Sequence, residues 1–109
     1  MIQAEISIYP MATKTTSASF YIAKAIESIK DMENLRYEIN TMGTMLESDN
    51  IDTINKASKC MIETVHHLGI NRVEVIIKID SRIDKQLKME EKIESIKKQM
   101  NLNCFKIPK

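Results

Sequence analysis

Cys60, His66 and His67 are the side chains closest in type to a nucleophile and its base. They fall on one predicted helix, and both histidines follow the cysteine by about two turns, which is too far along one axis for a thiol–imidazole hydrogen bond. Cys104 belongs to no motif. We therefore predict no catalytic residue, and we interpret Cys60 as a small boundary residue and the histidines as solvent-facing groups near a helix C-terminus.

Metal and phosphate sites are not predicted either. The sequence has no C-x-x-C, no H-x-x-x-H and no close cluster of metal-ligating residues. Its two glycines, Gly43 and Gly69, both fall at predicted turns rather than in a phosphate-binding loop. No cofactor is predicted.

The charge balance argues against a polyanionic partner. Sixteen basic and fifteen acidic residues give a net charge of +1, which predicts neither nucleic acid nor membrane binding. Residues 82–109 are the basic part of the chain, and we interpret them as a solvated helix face. Without an apolar run long enough for a membrane span or a signal-like start, the expected location is cytoplasmic.

The chain length of 109 residues predicts one domain, 1–109. Strict alternation of apolar and polar residues predicts strands over 2–9, 36–41 and 72–80, and a shorter strand over 44–47. Helical spacing predicts helices from Ala18 to about Met32, from about 51 to Leu68, and over about 87–100. Hydroxyl residues at 13–17 are expected to cap the first helix, and Gly43 is expected to form a hairpin turn with positive φ.

This order of elements predicts an α+β, ferredoxin-like βαββαβ fold with a four-stranded antiparallel sheet and an added C-terminal helix. Both crossover helices then cover one sheet face and leave the other uncovered. That face is either solvated or a wet pocket between subunits. The side chains expected on it are Gln3, Glu5, Ser7, Tyr9, Arg36, Glu38, Asn40, Glu74, Ile76, Lys78 and Asp80.

Several segments carry a resemblance to a known family. They are AEISIYP at 4–10, the start of a helix at 15–20, YE at 37–38, MGTxxE at 42–47 and KIDxRxDK at 78–85. Over residues 2–97 the chain resembles the small thiamine-binding proteins, long known as an uncharacterised family. Thr41 and Ser48 depart from the family pattern, which commonly has proline and glycine at those positions.

The resemblance implies a non-enzymatic protein that binds thiamine or its hydroxymethylpyrimidine moiety at a subunit interface. It also implies homo-oligomers, as dimers or tetramers, formed through the open sheet faces. Residue chemistry fits an aminopyrimidine, since carboxylate, amide and hydroxyl groups match its amine and ring nitrogens. The candidate ligand-binding residues are Glu5, Ser7, Tyr9, Glu38, Asn40, Thr44 and Glu47.

Within this set, Glu38, Asn40, Thr44 and Glu47 are expected to contact the pyrimidine edge, whereas Glu5 and Tyr9 suit a cationic thiazolium. Three alternatives remain at the level of sequence. The carboxylates can be solvated or paired with basic residues of the sheet, in which case they contribute nothing to a ligand. The protein can also be a regulatory or assembly module of ferredoxin-like fold with a different ligand, or, third, an enzyme with interface carboxylates.

Overall fold

A computed structural model describes residues 1–14 and 16–102 of the chain. Four strands form one antiparallel sheet in the order β2-β3-β1-β4, with two helices as crossovers and a third helix after the last strand. The predicted ferredoxin-like α+β fold is confirmed. Thr15, within the predicted capping run, and Cys104 lie outside the described residues. The elements are β1 (Ile2–Pro10), α1 (Ser19–Glu27), β2 (Arg36–Ile39), β3 (Thr44–Ser48), α2 (Ile51–His67), β4 (Val73–Ser81) and α3 (Met89–Leu102).

The core lies between the sheet and the helices α1 and α2. Alternation along β1 directs Ile6 and its apolar neighbours to this side, and α2 contributes Ile54, Met61 and Val65, all essentially without solvent exposure. Each large aliphatic side chain buried in this way stabilises the fold by roughly 1.5–3 kcal/mol. The period-2 pattern of β1 and the helical spacing of α2 thus fix which faces meet.

The two crossover helices differ in how well local sequence determines their ends. At α2, the Asn50 side chain accepts the Asp52 N–H at 2.8 Å as an N-cap, and Gly69, at a turn as predicted, follows the helix with φ of +95°. The α1 prediction is wrong at both ends. The N-cap is Ala18, without a side-chain cap, and the helix ends at Glu27, where the Ser28 hydroxyl donates to the carbonyl of Ala25.

The sheet face opposite α1 and α2 is only partly open, contrary to the prediction of an uncovered face. The segment that follows β4 crosses this face, and the Gln3 side-chain amide donates to the Leu87 carbonyl at 2.6 Å. Gln3, Glu47 and Met89 are buried as a result. The part of this face that remains open is therefore the half that carries Glu5 and the residues that follow it on β1.

Gly43 closes the β2–β3 hairpin, but not by a positive φ, so the predicted reason for glycine is wrong. A Cβ placed at Gly43 would lie 3.0 Å from the Ser7 Oγ and 3.1 Å from the Ile6 carbonyl oxygen. The hairpin is pressed against β1 so closely that only glycine fits without a shift.

A valine at Gly43 should therefore lower the free energy of unfolding by about 1–3 kcal/mol, because the added methyl groups must push the hairpin away from β1. Urea unfolding of Gly43→Val against the parent measures this. An unchanged midpoint would mean that the hairpin does not approach β1 in solution.

Candidate functional site

The β2–β3 turn at residues 40–43 is closed by one hydrogen bond and held against β1 by another. The Ser7 hydroxyl donates to the Met42 carbonyl at 2.9 Å, and the Asn40 N–H donates to the Gly43 carbonyl at 2.9 Å. This contact places the end of β1, the turn and the start of α1 around a common hollow. The hairpin therefore serves as one wall of a cavity.

That cavity, the hairpin pocket, has a volume of about 370 Å³. Its inner surface is apolar and includes Ile22 of α1 and Met61 of α2. Its polar lining residues include four of the seven predicted ligand-binding residues, which are Ser7, Tyr9, Asn40 and Thr44. An apolar hollow with a few placed polar groups is the usual character of a small-molecule site.

A second cavity, the sheet-face cleft, lies next to α3 and has a volume of about 410 Å³. It contains the predicted residues Glu5 and Glu38, and it shares Asn40 with the hairpin pocket. Lys78, Asp80 and Lys92 also line it, so the cleft carries charges of both signs beside apolar residues such as Met45. The structure thus divides six of the seven predicted residues between two adjacent cavities that meet at Asn40.

Glu47, the seventh predicted residue, lies in neither cavity. It is 3% exposed, and its Oε2 accepts hydrogen bonds from the Gln3 side-chain amide at 3.1 Å and from the Met89 N–H at 2.7 Å. Because Met89 is the first residue of α3, this carboxylate caps the helix and fastens it to the sheet. Its hydrogen-bonding capacity is directed at the protein's own chain.

Arg36 connects β2 to α3 through carboxylates. It pairs with Glu38 at 2.7 Å and also with Glu90, while Glu47 lies 3.9 Å away. The hydrogen bond to Glu90 raises the pKa of Arg36, and the pKa of Glu90 is lowered by a backbone N–H at the helix start and by Arg36. Glu38 therefore has an internal cation as partner, one of the alternatives open from sequence, and remains half exposed toward the cleft.

Lys92 makes a second link between α3 and the sheet. It pairs with Asp80 of β4, and this hydrogen bond lowers the pKa of the Asp80 carboxyl. Sequence reasoning did not identify these α3 contacts, nor the pocket walls from Ile22 and Met61. The helical stripes containing the two apolar residues were visible, but their position beside the hairpin depends on the tertiary packing.

A third hollow, of about 500 Å³, lies between the end of α1 and the start of α2. Glu27, Asp31, Glu33 and Lys56 line it, and none of the predicted ligand-binding residues reaches it. At the far end of α2, the Nδ1 atom of His66 is 2.8 Å from the carbonyl oxygen of Ile70. This contact joins the last turn of the helix to the segment that follows it. These features belong to the packing of the two helices.

Across the ranges 1–14 and 16–102, no group of three His, Cys, Asp or Glu side chains is arranged to hold a metal ion. Within the same ranges, no helix has both the length and the apolar character of a membrane span.

Comparison with known proteins decides the family. The family model described as "Thiamine-binding protein" matches residues 4–97, which is most of the chain. The chain belongs to the thiamine-binding protein family. This confirms the resemblance found in the sequence segments.

Individual relatives agree with membership of the thiamine-binding protein family. A UPF0045 protein of Methanothermobacter thermautotrophicus is 41% identical over 100 residues, covering 92% of this chain and 100% of the relative. The UPF0045 protein YqgV of Bacillus subtilis is 32% identical over 107 residues, covering 92% of this chain and 98% of the relative. The family is therefore represented in both archaea and bacteria.

Solved structures show the same fold. The hypothetical protein MJ1052 of Methanocaldococcus jannaschii superimposes with a TM-score of 0.79 at 42% identity, covering 88% of this chain and 95% of that protein. A putative thiamine biosynthesis/salvage protein of Thermotoga maritima gives a TM-score of 0.71 at 20% identity, covering 87% and 97%. At that identity the second likeness concerns the fold alone.

Proposed function

We propose that this protein binds thiamine or its hydroxymethylpyrimidine moiety without catalysing a reaction, and that the pyrimidine ring occupies the hairpin pocket. The observation that carries the proposal is the grouping of Ser7, Asn40 and Thr44 around an apolar hollow of about 370 Å³. This volume falls in the range of small-molecule sites. Membership of the thiamine-binding family supports the choice of ligand class.

The chemistry of the pocket matches an aminopyrimidine. The ring nitrogens accept hydrogen bonds and the exocyclic amine donates them, whereas hydroxyl and carboxamide groups do both. The Asn40 side chain supplies a donor and an acceptor at the rim, and the apolar wall of Ile22 and Met61 contacts the ring face. Tyr9 lies at the outer edge of the pocket, half exposed, where its ring can stack on a bound heterocycle.

The position of the sheet-face cleft supports a second contact for thiamine. Glu5 and Glu38 lie in the cleft, and Asn40 joins it to the hairpin pocket. A thiazolium extending past Asn40 would reach these carboxylates, which attract a cation. The proposal leaves Glu47 out of the site because that carboxylate already accepts two N–H groups of the chain.

We also infer that the ligand is enclosed between subunits. The cleft opens to solvent beside Ile93 of α3, which is half exposed. A second copy of the chain packed on the remaining open sheet face would cover this apolar residue and close the cleft, in line with the dimer or tetramer expected from sequence.

Removing the carboxylates of the sheet-face cleft should weaken the binding of a cationic ligand but not that of a neutral one. In Glu5→Gln/Glu38→Gln, the Kd for thiamine should rise about 5- to 10-fold, since each solvent-accessible carboxylate contributes up to about 1 kcal/mol to a cation. The Kd for neutral hydroxymethylpyrimidine should stay the same. Calorimetric titration of both ligands measures the difference.

The matched control is Asp31→Asn, which removes a carboxylate from the hollow between α1 and α2 and should change neither Kd. Equal weakening of both ligands in the double variant would place the pyrimidine at the carboxylates. Failure of the parent to bind either ligand would contradict the proposed function.

A further inference from the structure

The sheet-face cleft contains two basic side chains for which the proposed function gives no role. Lys78 of β4 and Lys92 of α3 both line this cavity. Lys92 is paired with Asp80, so its charge is balanced within the chain. Lys78 is exposed, and its ammonium group forms no ion pair or hydrogen bond with any residue in the ranges 1–14 and 16–102. Of these two lysines, Lys78 is therefore the one whose charge is available to a ligand.

Lys78 ends a row of side chains that crosses all four strands on the open face. In the strand pairing, Glu38 of β2 is opposite Met45 of β3, Met45 is opposite Glu5 of β1, and Glu5 is opposite Lys78. All four residues line the sheet-face cleft. The row thus presents a carboxylate, a partly buried apolar side chain, a second carboxylate and an ammonium group in that order.

The end of this row keeps two opposite charges side by side but unpaired. Directly opposite residues in an antiparallel sheet have Cβ atoms about 4.5–5.5 Å apart, which allows a carboxylate and an ammonium group to pair. Glu5 and Lys78 form no ion pair with each other, and Glu5 forms none elsewhere in the part of the chain that the structure describes. The cleft therefore offers a negative and a positive charge to one ligand.

We propose that the ligand of this cleft is the phosphate monoester of thiamine, with its phosphate on Lys78. The thiazolium lies over Met45 between the carboxylates of Glu38 and Glu5, which stand two strands or about 9–10 Å apart. The two-carbon arm of the thiazolium then carries the phosphate across about one further strand spacing, ~4.8 Å, to Lys78. A phosphate monoester has close to two negative charges at neutral pH, which an ammonium group attracts.

This inference rests on the proposed function, because the pyrimidine in the hairpin pocket sets the direction of the ligand. It also predicts that the position of the phosphate matters. In hydroxymethylpyrimidine phosphate, the phosphate takes the place of the thiazolium and meets Glu5 and Glu38, which repel it. Phosphorylation of hydroxymethylpyrimidine should therefore weaken binding, and Glu5→Gln/Glu38→Gln should reduce that loss.

Calorimetric titration of Lys78→Met with thiamine and with thiamine monophosphate tests the assignment. The Kd for the monophosphate should rise about 3- to 5-fold, the size expected for one exposed charge pair. The Kd for thiamine should stay the same or fall, because the substitution removes a positive charge beside the thiazolium. Lys78→Arg, which keeps the charge, should bind the monophosphate like the parent.

The matched control is Lys56→Met, which removes a lysine from the hollow between α1 and α2 and should change neither Kd. If thiamine binds but Lys78→Met leaves the Kd for the monophosphate unchanged, or weakens both ligands equally, the phosphate assignment is overturned and the proposed function stands. Tighter binding of hydroxymethylpyrimidine phosphate than of hydroxymethylpyrimidine would also overturn it. A parent that binds neither thiamine nor hydroxymethylpyrimidine would overturn both proposals.

Discussion

Replacing Glu47 by alanine should lower the free energy of unfolding by about 2–4 kcal/mol, although the residue lies on the face of the sheet opposite the main core. The carboxylate is 3% exposed and accepts hydrogen bonds from Gln3 and Met89. Its removal leaves the Met89 N–H and one of the two N–H bonds of the Gln3 amide without an acceptor, and each unsatisfied N–H of this kind costs about 1–3 kcal/mol. Urea unfolding followed by circular dichroism measures the change.

Glu38→Ala is the matched control, since Glu38 lies on the same sheet face in the neighbouring strand and its pair with Arg36 is half exposed. Exposed ion pairs contribute about 0–1 kcal/mol, so this variant should remain close to the parent. Equal destabilisation by the two substitutions would contradict the role of Glu47 as the acceptor that fastens α3 to the sheet.

Filling the hairpin pocket should abolish ligand binding while the fold persists. Ala18 precedes α1, is partly exposed and lines the pocket. A phenylalanine there would extend its ring into the cavity of about 370 Å³, in the volume assigned to the pyrimidine. We expect the Kd for hydroxymethylpyrimidine to rise about 100-fold or more, since a bound ring would have to displace the new side chain.

The corresponding control is Asp31→Phe, which adds an aromatic ring to the hollow between α1 and α2. Calorimetric titration should show binding equal to that of the parent in this variant, and the thermal midpoints of both variants should confirm that they fold. Undiminished binding in Ala18→Phe would exclude the hairpin pocket as the ligand site.

The fold was predictable because its determinants are local. Apolar residues alternate along β1 and β4, and Asn50 and Gly69 mark the ends of α2 by capping and by a left-handed backbone conformation. The early end of α1 was not predictable from periodicity. Apolar residues continue at helical spacing to Ile29 and Met32, and Ile29 is buried, although by then the chain has changed to turns.

The candidate site was predictable only in part. Alternation placed Glu5, Ser7 and Tyr9 on one side of β1, but it could not show that the chain after β4 returns across this face and buries Glu47. Contacts of this kind join residues more than 40 positions apart and leave no periodic signal. The requirement for glycine at position 43 likewise arises from tertiary structure, since it depends on the distance between the hairpin and β1.

The most direct test of the account is a nuclear magnetic resonance titration of the ¹⁵N-labelled protein with hydroxymethylpyrimidine. We expect saturable shifts of the backbone amides of Ser7, Asn40 and Thr44, with little change at Glu27 and Asp31. Absence of saturable shifts, or shifts confined to the hollow between α1 and α2, would contradict the assignment of the hairpin pocket as the ligand site.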